Sequence, residues 1–421
     1  MREAGRLFDK KLHPLVLVEG YQKALEVTLQ TLESKIINIK PDSIEELRKV
    51  AKTAMSGTSA EAGGDLMADL VVNAAQLVAG EKNGHLHIST EDVRMAKRGV
   101  GSIGDSRLIA GLIIEKRLDL DRLPKLLEGG KVVVLSCPLE IESTVRDVEI
   151  EVDDPEKWVA FMDIEEQRLQ KKAQQIIDSG ANLVFTAEGV EPRILHRLVD
   201  EGIFVLGGLE KSGAEDIALA TGAQMIDHLD DISNEVLGNF TQLTIETLEG
   251  AEGRRERIHL LVGKQTGIAT IDVGGGDGVA SEEVIRGLYD ALCSVTSAME
   301  TGEVLTGAGS LHMAASLAIK EAAENQSGRQ RLAMEAFSRA LESVPATLGE
   351  NAGANRLDCL LELRSLHRAG NSEAGILPDG KAGTIVEALA SAETLSHAIE
   401  AACETTCGLL RVDQVISARG D

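Results

Sequence analysis

Aromatic residues are scarce in this chain: one Trp, two Tyr and six Phe among 421 residues. Its cores must therefore be built from Leu, Ile, Val and Ala, which a hydrophobic fraction of 43% supplies amply. Basic residues are also in deficit. Lys and Arg number 43 against 68 Asp and Glu, a formal net charge of -25. That argues against nucleic acid or an anionic membrane as the main partner, since both need basic surface. Solubility accounts for the acidity, and an acidic docking patch is the other reading. Cysteines number five, an odd count with no CxxC, which reads as reduced thiols and not as a disulfide framework. Cys403 and Cys407 stand four apart on an expected helix, a spacing that suits packing better than a metal site. No apolar run reaches membrane-spanning length, and no basic leader precedes an apolar stretch. The expectation is a soluble, cytoplasmic protein of two or three domains.

What is present is a change of texture along the chain. "HPLVLVEGYQKALEVTLQTLESK" and "EELRKVAKTAM" carry apolar residues at helical steps, and "SGTSAEAGG" then reads as a loop. "DLMADLVVNAAQLVAG" resumes the helical pattern, and "RLIAGLIIE" at 107–115 reads as one strand. From about 124, strand-like "GKVVVLSCPLEI", "ANLVFTAEG" and "GIFVLGGL" alternate with helical stretches, the signature of an α/β unit. "GIATIDVGG" is a further strand. "SEEVIRGLYDALCSVTSAMETG" is a helix with Ser281 as its expected N-cap. The remainder is Ala-rich and helical and closes with "GLLRVDQVI", read as a strand. The order helical, mixed, α/β, mixed, helical predicts nested domains: a multidomain α/β plus α fold.

Several stretches resemble chemical motifs. "GVGSIG" at 99–104 matches a dinucleotide fingerprint, but charged "EDVRMAKR" precedes it and an apolar segment, not a helix, follows. His85 and His87 would share one face of a strand and could ligate a metal, yet no third ligand is near; a solvated face is the simpler reading. "IDVGGGDGVAS" at 271–281 has the composition of a phosphate cradle but lacks the Lys and Ser/Thr that one needs, so a tight strand-to-helix connection competes. Asp290 sits mid-helix among apolar neighbours and has either a task or an exposed position.

Taken together, "KLHPLVLVEGYQKAL", "VLSCPLEIESTVRDVEIEVDDPEKWVAFMDIEEQRL", "SGANLVF", "EKSGAEDIALATGAQ", "RQRLAMEAFSRALESVPATLGENAG" and "LLRVDQVI" resemble, in order, the group II chaperonins: the archaeal thermosome and its eukaryotic cytosolic relatives. The similarity covers essentially the whole chain. It implies a chaperonin architecture. A helical equatorial domain would come from residues 1–56 and 304–421, and an intermediate hinge domain from 57–123 and 265–303. An inserted α/β apical domain with a helical protrusion would come from 124–264. The protrusion places Trp158, Phe161 and Met162 where they would meet non-native clients or neighbouring lids, with core packing as the alternative.

The resemblance further implies ATP with Mg2+ as cofactor, clients that are non-native proteins, and a homo- or hetero-oligomeric double ring. It answers the question of the glycine run: Gly275 and Gly276 fall at a hinge turn between apical and intermediate domains. Asp290 would orient the attacking water, with Gly307, Gly309, Asn351 and Gly353 at the nucleotide. No metal ligand is identified, because the family's G-D-G-T-T phosphate loop is absent from this sequence. Thr58 stands where the family carries a γ-phosphate-sensing lysine, Ala308 replaces a glycine, "NAGANRLD" departs from "NAGLDPID", and "EALASAETL" lacks an acidic-Pro pair at the ribose. Two expectations follow: an ATP-driven folding chaperone with weakened hydrolysis, or an ATP-independent holdase or non-hydrolysing ring component. A C-terminal strand without N-terminal partners would also impair ring assembly.

Overall fold

A computed structural model describes residues 1–412 except 119, 121, 141–154, 251–252, 264–266 and 277. The chain divides into two compact units.

The first unit comprises Met1–Val72, Asn83–Leu86 and Arg286–Asp421 and is mainly helical. The helix Pro14–Glu33 starts where its residues dictate. Pro14 supplies a fixed φ at the first position, and His13 Nδ1 accepts the Leu15 N–H at 3.3 Å. Asn355 caps Arg356–Arg368 in the same way, and Ser391 caps Ala392–Leu410. Helix Pro14–Glu33 packs against Gln330–Asn351 at Gly20, where the Ala333 methyl occupies the space a Cβ would need. Tyr21 and Phe337 meet edge to face there, ring centres 5.6 Å apart. Cys403 and Cys407 are buried in this core, as packing requires, and burial pushes the Cys403 thiol up to about 12. The helix Ala392–Leu410 takes in Gly408 to Leu410, which the sequence reads as the start of a strand. The inward stripe Ile399, Cys403, Cys407, Leu410 continues the helical period through them. The rest of that expected strand, from 413, lies outside the described residues. A small sheet orders strands Ile37–Asn38, Glu303–Thr306 and Leu389–Ser391.

The second unit comprises Asn73–Lys82 and His87–Ile285. Its seven-stranded sheet has two halves. Leu126–Leu135 pairs in parallel with Leu183–Thr186 and Met225–Ile226, and Leu183–Thr186 with Phe204–Leu206. Val132, Val133, Val134 and Leu135 are all fully buried, as expected for parallel strands covered by helices on both faces. Gly238–Gly250, Gly253–Leu261 and Gly111–Glu115 extend the sheet antiparallel. A separate three-stranded sheet sets Ala269–Val273 between Val93–Lys97 and Arg107–Ile109. The single strand expected at 107–115 is therefore two strands in two sheets. The break falls at Gly111, whose φ of 148° and whose contact with the Leu260 carbonyl leave no room for a Cβ.

Candidate functional site

In the first unit, the turn Gly307–Gly309 joins strand Glu303–Thr306 to helix Ser310–Glu324. The Gly307 N–H donates to the Ala388 carbonyl at 2.9 Å. Ala308 and Gly309 are both left-handed, with φ of 51° and 77°. Ala308 thus keeps the backbone conformation that a glycine adopts freely. Gly309 has a second reason to be glycine: a Cβ there would stand 2.7 Å from the Pro345 ring. No side chain caps the helix that follows, and the Ser310 hydroxyl is turned to the Ser372 carbonyl. The Ser310 N–H donates to the Gly307 carbonyl at 3.0 Å, so the positive end of the helix dipole and the N–H groups of Leu311 and His312 are what the helix N-terminus brings to the turn.

Pro345 lies six residues before Asn351 on helix Gln330–Asn351, about 9 Å along the axis at 1.5 Å per residue. Asn351 is exposed at that helix's last position, and the Gly353 N–H donates to the Glu350 carbonyl at 3.0 Å. A hairpin of Ala374–Ile376 and Ala382–Thr384 touches both turns. Its Ile376 N–H donates to the Ala308 carbonyl at 2.9 Å, and its Gly380 packs against Ala352 and Ala354. The structure thus brings Gly307, Gly309, Asn351 and Gly353 around one scaffold. Nothing in the sequence pattern marks the hairpin as that scaffold.

Asp290 is on helix Val279–Thr301. This helix begins two residues before Ser281, which is therefore not its N-cap; the Ser281 hydroxyl instead donates to the Gly276 carbonyl at 2.6 Å. The helix buries Leu288, Ala291, Leu292 and Val295 and leaves Asp290 exposed. The helix is docked seven residues further on, where the Ser297 hydroxyl meets that of Ser391 at 2.8 Å and Glu393 at 2.7 Å. Thr58 packs on the same helix at Gly287, one turn before Asp290. Its hydroxyl is already engaged, donating to the Met55 carbonyl and accepting the Ala60 N–H. Among the described residues, no hydrogen bond or ion pair joins Asp290 to the 307–309 turn.

In the second unit, Trp158, Phe161 and Met162 are 55%, 42% and 41% exposed on helix Pro155–Asp178, so core packing does not account for them. Of the expected protrusion, "EIEVDDPEKWVAFMDIEEQRLQ" at 149–170, residues 149–154 lie outside the described residues. "GVGSIG" forms no cradle: Ser102 and Asp105 close a capping box on the short turn Ile103–Asp105. His85 and His87 are exposed, and among the described residues no three His, Cys, Asp or Glu gather as a metal site.

Sequence reasoning missed a cluster at Asp272, which "IDVGGGDG" contains. Asp272 is fully buried and meets Arg257 at 2.8 Å, Arg107 at 3.1 Å and Arg98 at 3.3 Å. Arg107 also reaches Glu246 at 2.7 Å, as does His259 at 3.0 Å. Burial pushes the Glu246 carboxyl up, but Arg107 and Arg98 outweigh it and hold the group below its ordinary range. Burial depresses His259. No spacing rule links positions this far apart in sequence.

The TCP-1/cpn60 chaperonin family model matches residues 1–420. The chain belongs to that family. It is 35% identical over 425 residues to the thermosome subunit beta of Archaeoglobus fulgidus, covering all of this chain and 77% of that one. It is 34% identical over 423 residues to a Methanopyrus kandleri thermosome subunit, again covering 77% of it. Among solved structures, an open-state monomer of a group II chaperonin from Methanococcoides burtonii aligns with a TM-score of 0.65 at 31% identity. The match covers 98% of this chain and 96% of that one. The chaperonin is thus a group II-type protein-folding subunit, as the motif resemblance implies, with the mixed helical and α/β architecture expected of one. Among the described residues no helix is long and apolar enough to cross a membrane.

Proposed function

We propose that this chaperonin subunit binds ATP at the 307–309 turn and couples its turnover to the handling of non-native protein. The observation that carries the reading is the paired left-handed Ala308 and Gly309 ahead of an uncapped helix N-terminus. That arrangement suits phosphate oxygens without any side chain. Asn351 and Gly353 would flank the nucleotide. ATP with Mg2+ would supply the cleavable phosphoanhydride and its charge neutralisation. Asp290 acts as water orienter or base from the adjoining helix, a role its exposure permits. Trp158, Phe161 and Met162 offer an apolar surface to exposed client segments. The domains follow as equatorial 1–56 and 304–421, intermediate 57–123 and 265–303, and apical 124–264. Subunits assemble into a double ring, and five free thiols suit a reducing cytoplasm.

One observation favours a second reading, an ATP-independent holdase. Thr58 is neutral and its hydroxyl is tied to its own loop, so it cannot act as a cationic sensor of phosphate. ATP binding and turnover by the purified chain, beside Asp290→Ala, separate the two. Binding with turnover that is lost in the variant supports the first. No binding, together with client protection that ignores nucleotide, establishes the second.

A further inference from the structure

We infer that the Asp272 cluster is a lock that joins the two sheets of the second unit into one moving body. The strand registers make the argument. In the seven-stranded sheet, Arg257 lies directly between Glu115 and Glu246 on neighbouring strands. The three side chains therefore project from one face as a row of minus, plus, minus. In the three-stranded sheet, Asp272 lies directly opposite Arg107. On the third strand Ala96 lies opposite Asp272, and Arg98 follows two residues on, its N–H on the Val273 carbonyl at 2.9 Å and its guanidinium 3.3 Å from Asp272, so that the anion has a cation on each side in a row of plus, minus, plus. The two rows are complementary and engage. Arg257 meets Asp272, while Arg98 and Arg107 both meet Glu246.

Three guanidinium groups thus face three carboxylates, and His259, 3.0 Å from Glu246, is depressed by burial. Arg257 and Asp272 are both fully withdrawn from water. Separating the sheets would leave each as an uncompensated charge in a low-dielectric gap, the costliest outcome available to it. The contact is electrostatic more than directional, since the Arg257 Nη2 approaches Asp272 at 2.8 Å without aiming its N–H at the oxygen.

The glycine run beside the cluster is pinned as well. The Gly274 N–H donates to the Ser106 hydroxyl at 2.9 Å and the Gly275 N–H to the Val100 carbonyl at 3.3 Å. Gly274 also presses against the Ser102 carbonyl, so closely that no Cβ fits. A turn held at three points is a fixed corner. The hinge that the sequence suggests at Gly275 and Gly276 is locked, and motion of one sheet is carried to the other. This inference does not depend on nucleotide binding.

Native-state hydrogen exchange against denaturant tests it. In the unaltered protein the amides of Arg257–Leu260 and Thr270–Asp272 are expected to open together, with one denaturant dependence. Glu246→Gln removes the less buried anion of the pair Asp272 and Glu246 and keeps the shape. It should lower protection of Thr270–Asp272 at least tenfold while Val132–Leu135 keeps its protection. Asp272→Asn should do the same more strongly; if it does not fold, Glu246→Gln alone decides. Separate openings of the two sheets in the unaltered protein would overturn the lock, as would unchanged coupling in Glu246→Gln.

Discussion

The Thr58 hydroxyl and Gly287 are in contact: a Cβ on Gly287 would stand 2.6 Å from Thr58 Oγ1 and 3.0 Å from the Ala60 methyl. Glycine in mid-helix costs about 1 kcal/mol in propensity, so its presence here reflects the close approach of the loop. Gly287→Ala should regain that propensity but overpack the contact by about 1–3 kcal/mol. A net loss of about 1 kcal/mol is expected in urea titration. Thr58→Ala in the same chain should recover most of it, because the two side chains compete for one space. Additive losses would show that they do not.

Ala308 holds a left-handed φ of 51° that costs a non-glycine residue about 1–2 kcal/mol. Ala308→Gly should therefore raise stability, by about 0.5–1 kcal/mol after the extra chain entropy of glycine is offset. Gly309→Ala should lower it by about 2 kcal/mol or more, since backbone strain and the Pro345 contact both oppose a Cβ. Thermal melts of the two variants, moving in opposite directions, are the measurement.

Stability should fall as pH drops below about 6.5, the ordinary value for histidine. Burial depresses His259 in the fold, so the unfolded chain takes up its proton first and acidification favours unfolding. The stability is fully present above the ordinary value and is lost as pH falls from there towards the depressed one. Glu246, held low by Arg107 and Arg98 against its burial, adds a second loss below about 4.5, its ordinary value. His259→Gln should flatten the stability profile just below about 6.5, the ordinary histidine value, relative to the unaltered chain. His312 and His367 are also depressed by burial, so the comparison must be the difference between the two profiles.

Trp158→Ser with Phe161→Ser should change melting little, because about half of each side chain is already exposed to water. Suppression of aggregation of a chemically denatured client should nonetheless fall several-fold. Equal suppression by the variant would remove these residues from the client surface.

Much of this was legible in the residues. Apolar steps at three and four place helices Pro14–Glu33 and Ile44–Met55 almost to the residue, because a helix facing one core declares its period locally. The fully apolar run at Val132–Leu135 marks a buried parallel strand for the same reason. The segments that resemble group II chaperonins carried the family and its architecture. What stayed hidden involves partners far apart in sequence. "RLIAGLIIE" has the composition of one strand. Only the Leu260 carbonyl packed against Gly111 splits it between two sheets. Ser281 is a sound N-cap by type, yet the chain before it is held so that Val279 already begins the turn.

The sequence by itself determined the helical periods, the alternation that builds the α/β sheet and the family to which the chain belongs. The tertiary structure alone decided that Asp290 faces solvent, that Thr58 is sealed against Gly287, and that one hairpin touches both the 307–309 and 351–354 turns. It also decided that Asp272, Arg257 and Glu246 meet. Local pattern records which face of an element is apolar. It does not record which charged faces are brought together, since that depends on the register and packing of strands distant along the chain.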